Sequence, residues 1–358
     1  MPSTDDLFRT ARALRASTEL ADRVRRALRA LCDSKSYRGW RDGPEQASRF
    51  RLDGEGEGGV DGGAGRSALQ EAGLVEAGGL AIRVNDREGR LFATDGVWVD
   101  AQRRVFPFDD EAGTMLRLAR RLGWETPDTV VDLACGCGHS ALGFDAAQRV
   151  LLDVNPRALA YAELNRVLNG VPGASTVIAL NDVRDGVPRG VARGLRGTVL
   201  VIANMPFGLS PGAGVLPLTS DGGDDGLVLQ AAVLETLAAL RRELPAVTRL
   251  QALMLGLTAG CAAEGRWEWP QRAAAAFGEG RARWSLLHDE SVLRIDGRRA
   301  MANPSRLRDA LPALAECTLY VGDAERQSVR ESYRELAGRH ERAGRPDLAY
   351  GAVAVEFA

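Results

Sequence analysis

Residues 129–138 read TVVDLACGCG. The apolar run Thr129-Val130-Val131 ends in an acid, Asp132, and passes through Leu133 into a turn of small residues, Ala134-Cys135-Gly136-Cys137-Gly138. Apolar spacing then predicts a helix over Ser140–Ala147. Glycines in such a turn let the backbone approach a ligand closely, and the first helical turn offers N–H groups without intrahelical partners. An acid at the strand end, ahead of the glycines, suits a cationic or hydroxylated ligand better than a pyrophosphate. The stretch therefore predicts a strand, a turn and a helix built around a nucleotide-like ligand.

The same alternation continues downstream. Strands are expected at Val130–Leu133, Arg149–Asp153, Ser175–Leu180, Thr198–Ala203 and Leu250–Leu257, with helices at Thr114–Leu122, Pro156–Leu168 and Leu227–Leu244. Alternating strands and helices predict an α/β fold, a parallel sheet with helices on both faces. Ligands bind such sheets at the carboxyl ends of the strands. Polar residues mark four successive ends: Asp132 with its turn, Asp153 in LLDVNPRAL, Asn181-Asp182, and Asn204-Met205-Pro206-Phe207. Asp153 can accept both hydrogen bonds of a ribose diol, or serve locally as a cap ahead of Pro156. Gly136-Cys137-Gly138-His139-Ser140-Ala141 also fits the dinucleotide fingerprint, which keeps a nicotinamide cofactor open at this point.

Taken together, these residues resemble the class I Rossmann-like S-adenosylmethionine-dependent methyltransferases over roughly residues 105–257. Asp132 through Gly138 is similar to the family's first motif, with Ala134 in place of its first glycine. The resemblance assigns the cofactor S-adenosyl-L-methionine to Asp132, Ala134, Cys135, Gly136, Gly138, Asp153, Val154, Asp182 and Asn204. Asp153 matches the acid that holds the ribose, and Asp182 the residue that meets the adenine amino group. Asn204-Met205-Pro206-Phe207 looks like the (N/D)PP(F/Y) motif of amino-group methyltransferases, and these four residues are the catalytic candidates. Asp153-Val154-Asn155-Pro156-Arg157-Ala158-Leu159, with Asn165 and Asn169-Gly170, is most similar to the HemK-like protein-glutamine enzymes and the ribosomal-RNA guanine-N2 enzymes. Met205 departs from the motif's first proline, losing its fixed φ. The resemblance implies methyl transfer to a planar amino, amide or heteroaryl nitrogen.

The rest of the chain bounds the partners. Of its 358 residues, 45% are hydrophobic and 26% charged, and the net charge is −2, so no global field attracts nucleic acid. No apolar run reaches the roughly 20 residues of a membrane span, and Met1–Leu14 lacks the apolar core of a secretory signal, so a cytoplasmic protein is expected. Lys35 is the only lysine among 46 basic residues, a bias typical of a GC-rich bacterial genome. Five cysteines and three histidines show no metal-ligand spacing, and no metal is expected. Residues 1–53 read as a helical region, with helical spacing over 6–32 and twelve basic residues against eight acidic ones. Residues 54–66 begin GEGEGGVDGGAG, a linker composition. Residues 67–110 read as a small β-rich region, with short strands at Leu80–Val84, Leu91–Ala93, Val97–Val99 and Arg104–Phe106. The methyltransferase domain then occupies 111–358, where Cys317–Val321, a helix near Gln327–Ala343 and a last strand near Ala352–Phe357 elaborate its C-terminal part. A small-molecule acceptor suits the near-neutral charge. RNA, a protein glutamine and O-methylation stay open as alternatives, as does a non-catalytic module that only binds the cofactor.

Overall fold

A computed structural model describes residues 2–33, 64–76, 79–96, 99, 104–105, 111–212, 214–244, 246–287, 302–314 and 326–357. Its centre is a sheet with β5 (Thr129–Asp132), β6 (Gln148–Asp153), β7 (Thr176–Leu180), β8 (Gly197–Ala203), β9 (Val247–Cys261), β11 (Ala282–Leu286) and β13 (Asp347–Phe357). Their order is β7-β6-β5-β8-β9-β13-β11. The first five strands in that order are parallel, β13 runs antiparallel to β9, and β11 antiparallel to β13. Two short strands, β10 (Arg266–Trp267) and β12 (Ser305–Arg306), pair with β9 and β13. The chain steps outward from β5 to β7, then returns to the other side of β5 as β8. That reversal opens a crevice at the carboxyl ends of β5 and β8, where ligands bind in open α/β sheets. This is a Rossmann-like α/β architecture with helices on both faces.

The central strands are buried on both faces and read accordingly: Val199, Leu200, Val201 and Ile202 are all fully enclosed. One face carries α4 (Glu111–Leu122) and α5 (His139–Gly143), with α10 (Leu307–Leu314) and α11 (Arg326–Arg342) beside β13. The other face carries α8 (Val228–Glu243) and α9 (Glu268–Phe277). The helix α6 (Pro156–Leu168) is apolar nearly all round, since Ala158, Leu159, Ala160, Tyr161, Ala162, Leu164, Val167 and Leu168 are all buried. Such a helix needs cover on its outer side too. That cover is α1 (Thr4–Ala16), α2 (Thr18–Asp33), α3 (Ala64–Glu71) and the hairpin of β3 (Arg83–Arg87) and β4 (Arg90–Thr94), which share one hydrophobic cluster with α6.

Several boundaries differ from the sequence expectation for local reasons. The helix expected over 6–32 is broken at Ser17, whose extended backbone closes α1 and whose Oγ accepts from Leu20 N at 3.2 Å to cap α2. The expected helix Ser140–Ala147 is only α5, five residues long. Phe144 is extended, and the buried Arg149 on β6 donates to the carbonyls of Phe144 (2.7 Å) and Ala146 (2.8 Å), turning the chain into the strand. Of the linker expected over 54–66, residues 64–66 fall in α3, which starts at Ala64, and residues 54–63 lie outside the described residues. Strand Leu80–Val84 is split, since Leu80 ends β2 (Gly79–Leu80), paired with β1 (Val75–Glu76), and β3 starts at Arg83. Arg104 and Val105 are not in a strand. Residues 97–98, 106–110 and 317–321 lie outside the described residues.

Candidate active site

Three adjacent strands bring the predicted acids and the glycine turn together. Asp132 ends β5 beside Leu151 of β6 and Ile202 of β8. Its carboxyl is buried, and burial pushes its pKa up to about 7, against the lowering pull of the Ala134 and Ala141 backbone N–H groups and helped by the nearby Asp153 charge. Cys135 N donates to Leu152 O at 2.9 Å, and Gly138 N to Cys135 O at 2.7 Å, which folds the turn back on the end of β6. Gly136 takes φ +51° and faces open space, with no atom within 4 Å of where a Cβ would stand. Gly138, at φ +81°, is instead closed in by Leu151, Leu142 and Ala162. Ala134, at the start of the turn, is half-buried. The Cys135 thiol is driven well above its ordinary pKa by burial, so it offers no thiolate nucleophile.

Asp153 ends β6 one strand over. Its two oxygens accept from Gly136 N and from Asn155 N, both at 2.8 Å, so it ties the glycine turn to the start of α6. Burial raises its pKa. The cap of α6 is Asn155, which accepts from Arg157 N at 2.9 Å. Past the acid, Val154 is 50% exposed, and Leu180 at the adjacent end of β7 is 63% exposed. Asp153 and Leu180 are register partners, so these strand ends present two large apolar side chains to solvent. That surface suits a flat aromatic ring. Asp182 follows on the same edge. It accepts from Arg184 N at 3.0 Å, and the Arg184 guanidinium holds its carboxyl down at about 2. Sequence reasoning missed Leu180, although an apolar residue directly before a polar strand end was visible.

The glycine turn is also held from the outside. Asn165 on α6 accepts from Ala93 N (2.6 Å) and donates to Ala93 O (2.9 Å) and to Cys137 O (2.8 Å). One turn on, Asn169 accepts from Leu91 N and donates to Leu91 O. Two amides at i and i+4 thus present a strand-like edge to β4 and fix the N-terminal layer against the turn. Asp95, at the end of the same hairpin, accepts from the Arg157 guanidinium, Tyr161 Oη and Val105 N. His139 packs edge-on against Phe92 with ring centroids 4.3 Å apart, and burial pulls its pKa down to about 3, so it is neutral.

On the other side of the reversal, β8 runs out into Asn204-Met205-Pro206-Phe207. Met205 is buried in the hydrophobic cluster of that face, with Leu133, Ala203 and Leu227. Its side chain is therefore core, and only its backbone is left for the chemistry. Phe207 is half-buried, with its ring 5.7 Å from that of Tyr350 and tilted 41°. Residues 208–212 and 214–227 are clamped over it: Gly208 N donates to Ser220 O, Gly222 N to Gly208 O and Ser210 N to Gly223 O. Gly222 approaches Phe207 so closely that a Cβ would stand 2.7 Å from its Cα. The loop's far end is held by charge. Arg272 bridges Asp225 and Glu268, Arg345 meets Glu268, and His340 Nε2 lies 2.9 Å from Asp224 O. Beneath Phe207 lie Gln230, Gly256 and Trp269, which sequence reasoning did not single out as site residues. The available signal was a glutamine in the otherwise apolar start of a helix, VLQAAVL.

Among the described residues, no group of three or more His, Cys, Asp and Glu side chains could hold a metal ion, and no helix is long and apolar enough to cross a membrane. No protein-family model matches this sequence, and no curated protein does. The chain is similar to several solved structures. Trm5b from Pyrococcus abyssi is 14% identical with a TM-score of 0.36, over 77% of this chain and 56% of that one. The Methanocaldococcus jannaschii tRNA m1G37 methyltransferase is 13% identical with a TM-score of 0.35, over 76% of this chain and 56% of that one. TYW2 of M. jannaschii, solved in complex with AdoMet, is 12% identical with a TM-score of 0.36, over 79% and 90%. The chain thus spans little more than half the length of the first two.

Proposed function

We propose that this chain is an S-adenosylmethionine-dependent methyltransferase acting on a planar nitrogen of a small molecule. The observation that carries this reading is the strand order β7-β6-β5-β8-β9-β13-β11, with a buried acid and glycine turn after β5, an acid after β6 and Asn204-Met205-Pro206-Phe207 after β8. Open space over Gly136, the Asp153 carboxylate and the exposed Val154 and Leu180 fit an amino-acid-linked adenosine better than a dinucleotide. Asp132 would meet its cationic end, Asp153 its ribose, and Val154, Leu180 and Asp182 its adenine. The resemblance to HemK-like and guanine-N2 enzymes belongs to the same proposal.

S-adenosylmethionine supplies an electrophilic methyl group on a sulfonium. The protein's part is to aim a poor nucleophile. An amide or heteroaryl nitrogen has a delocalised lone pair. The Asn204 side-chain oxygen and the Met205 carbonyl can accept its N–H groups, which favours pyramidal geometry and directs the lone pair. Phe207 can pack on the planar acceptor. Orientation of this kind contributes up to ~7–11 kcal/mol in an ideally placed pair. No strong base is needed if the proton leaves after transfer, and His139, its pKa pulled down to about 3 by burial, is too weak a base to supply one.

Enclosure of the Phe207 side by the clamped loop favours a small acceptor. An RNA reading draws on a different feature, a cavity of about 400 Å3 lined by Phe8, Arg12, Arg15, Glu163, Arg166 and Ile178 between α1, α6 and β7. Calorimetry with S-adenosylmethionine, followed by methyl transfer to cell extract with and without nuclease, tests both. Asn204→Ala should keep cofactor affinity and lose ~100-fold or more in turnover. Full activity in that variant would sink the catalytic assignment, and loss of transfer on nuclease treatment would move the acceptor to RNA.

A further inference from the structure

Gln230 is 1% exposed and Trp269 fully buried. Gln230 Nε2, Gln230 Oε1 and Trp269 Nε1 are all buried without a hydrogen-bond partner. They are also neighbours. A Cβ built on Gly256 would stand 3.6 Å from Gln230 Nε2, 3.8 Å from Trp269 Nε1 and 3.9 Å from the Phe207 Cβ. Gly256 lies on β9 two residues beyond Met254, the register partner of Ala203, so this spot is level with the start of the Asn204-Met205-Pro206-Phe207 segment. Buried polar groups are almost always paired, because an unpaired one keeps its full desolvation cost. Three unpaired polar atoms on two neighbouring side chains beside the proposed catalytic segment therefore call for a complement.

We propose that Gln230 and Trp269 recognise the amide edge of a small acceptor molecule, a carboxamide or lactam, and so determine which molecule is methylated. The inference rests on the methyltransferase reading above. The chemistry follows from the donor inventory. Gln230 offers one donor group and one acceptor, and the Trp269 indole is a donor only. Their complement is a carbonyl oxygen, which takes the Gln230 Nε2–H and the Trp269 Nε1–H, flanked by an N–H that donates to Gln230 Oε1. Gly256 contributes by lacking a side chain: a methyl there would stand in van der Waals contact with both donors, at 3.6 and 3.8 Å. Phe207 borders the same spot, so an edge held here would place the rest of a planar molecule beside the catalytic segment.

The test titrates the 15N-labelled full chain with nicotinamide, 2-pyridone and aniline, and reads the indole N–H signal of Trp269, assigned with Trp269→Phe. Nicotinamide or 2-pyridone should shift that signal saturably, with aniline at least tenfold weaker. Gln230→Leu should abolish the shift yet raise the melting temperature, by roughly 2 °C, because it removes unpaired buried polar atoms. A structural glutamine would do the opposite and lower it. Should Trp269→Phe fail to fold, calorimetry of the same three compounds on the wild-type chain reads the same preference. Equal binding of aniline, no binding of either amide, or an unchanged affinity in Gln230→Leu overturns the proposal. So does a guanine-containing oligoribonucleotide that moves the signal where free lactams do not. S-adenosylmethionine calorimetry on the same sample separates the two failures. Cofactor binding without amide binding refutes this site alone, and amide binding without cofactor binding refutes the methyltransferase reading and leaves only the amide site.

Discussion

The surroundings of the glycine turn and those of Phe207 treat their buried acids, amides and indole in opposite ways. Around the glycine turn, the chain satisfies its own acids and amides: Asp153 accepts two backbone N–H bonds, Asn165 makes three bonds to backbone, and Asp95 is closed by Arg157, Tyr161 and Val105. On the β8–β9 side, Gln230 and Trp269 keep polar atoms that the chain leaves unpaired. The difference teaches what each side is built for. On the proposed function, the first would be a preformed cradle, its acids tied to backbone N–H groups and retaining further lone pairs for a ligand. The second holds hydrogen-bonding capacity in reserve, and reserve of that kind costs stability.

The largest expected effect tests the rigid side. Asn165→Leu would strip partners from Ala93 N, Ala93 O and Cys137 O in one step. With unsatisfied buried groups at ~1–3 kcal/mol each, denaturant unfolding should show a loss of about 3–5 kcal/mol. Gln230→Leu, an amide-to-leucine change on the other side, should be neutral or stabilising. If the two substitutions shift stability in the same direction, the contrast between the sides fails.

Asp132 gives the next effect and separates folding from binding through pH. Its pKa in the folded chain, about 7, stands above the ordinary 3.8. A raised carboxyl favours folding most at pH below 3.8, and that contribution is lost as the pH rises through 7. Asp132→Asn should therefore stabilise the ligand-free chain at pH 8, by up to about 4 kcal/mol, and by progressively less toward pH 4. A cationic ligand needs the charged form, so S-adenosylmethionine affinity in the wild type should climb from pH 5.5 to 7 and level off above it. The Asn variant should bind weakly without that slope. Calorimetry across pH 5.5–8.5 reads both, and a flat wild-type profile would remove Asp132 from the site.

How much of this was legible in the sequence divides along the same line. The strand-end arrangement was readable because it puts residue types at fixed points: an acid at a strand end, glycines where the backbone turns, an acid one strand over. Each sits within a few residues of the strand that positions it. The length of α5 was not readable, because the stop comes from Arg149, a residue on the next strand that bonds the carbonyls of Phe144 and Ala146. The split at Ser17 carried a local cue, a serine followed by threonine at a helix boundary. Gln230, Gly256 and Trp269 come from α8, β9 and α9, and only tertiary packing makes them neighbours. Met205 shows the limit within a motif. The sequence marked it as a missing proline, while the fold uses its side chain as core.

The smallest expected effect lies at the cradle's exposed rim, where Asp182 is already engaged by Arg184. That pair is solvent-facing, so neither partner should matter to the melting temperature. Their effects on cofactor binding should instead differ in sign. Asp182→Ala removes the carboxylate that would accept the adenine amino group, and affinity should fall about tenfold, as for a hydrogen bond to a charged acceptor. Arg184→Ala frees that carboxylate from its guanidinium competitor and lets its pKa rise from about 2 toward the ordinary range. Affinity should then hold or tighten by a few-fold. Calorimetry on the two variants compares them directly. Equal losses would mean that the Asp182–Arg184 pair acts as one unit in shaping the loop. No change in either would place the adenine on Val154 and Leu180 alone, leaving the cradle's polar contacts to Asp132 and Asp153.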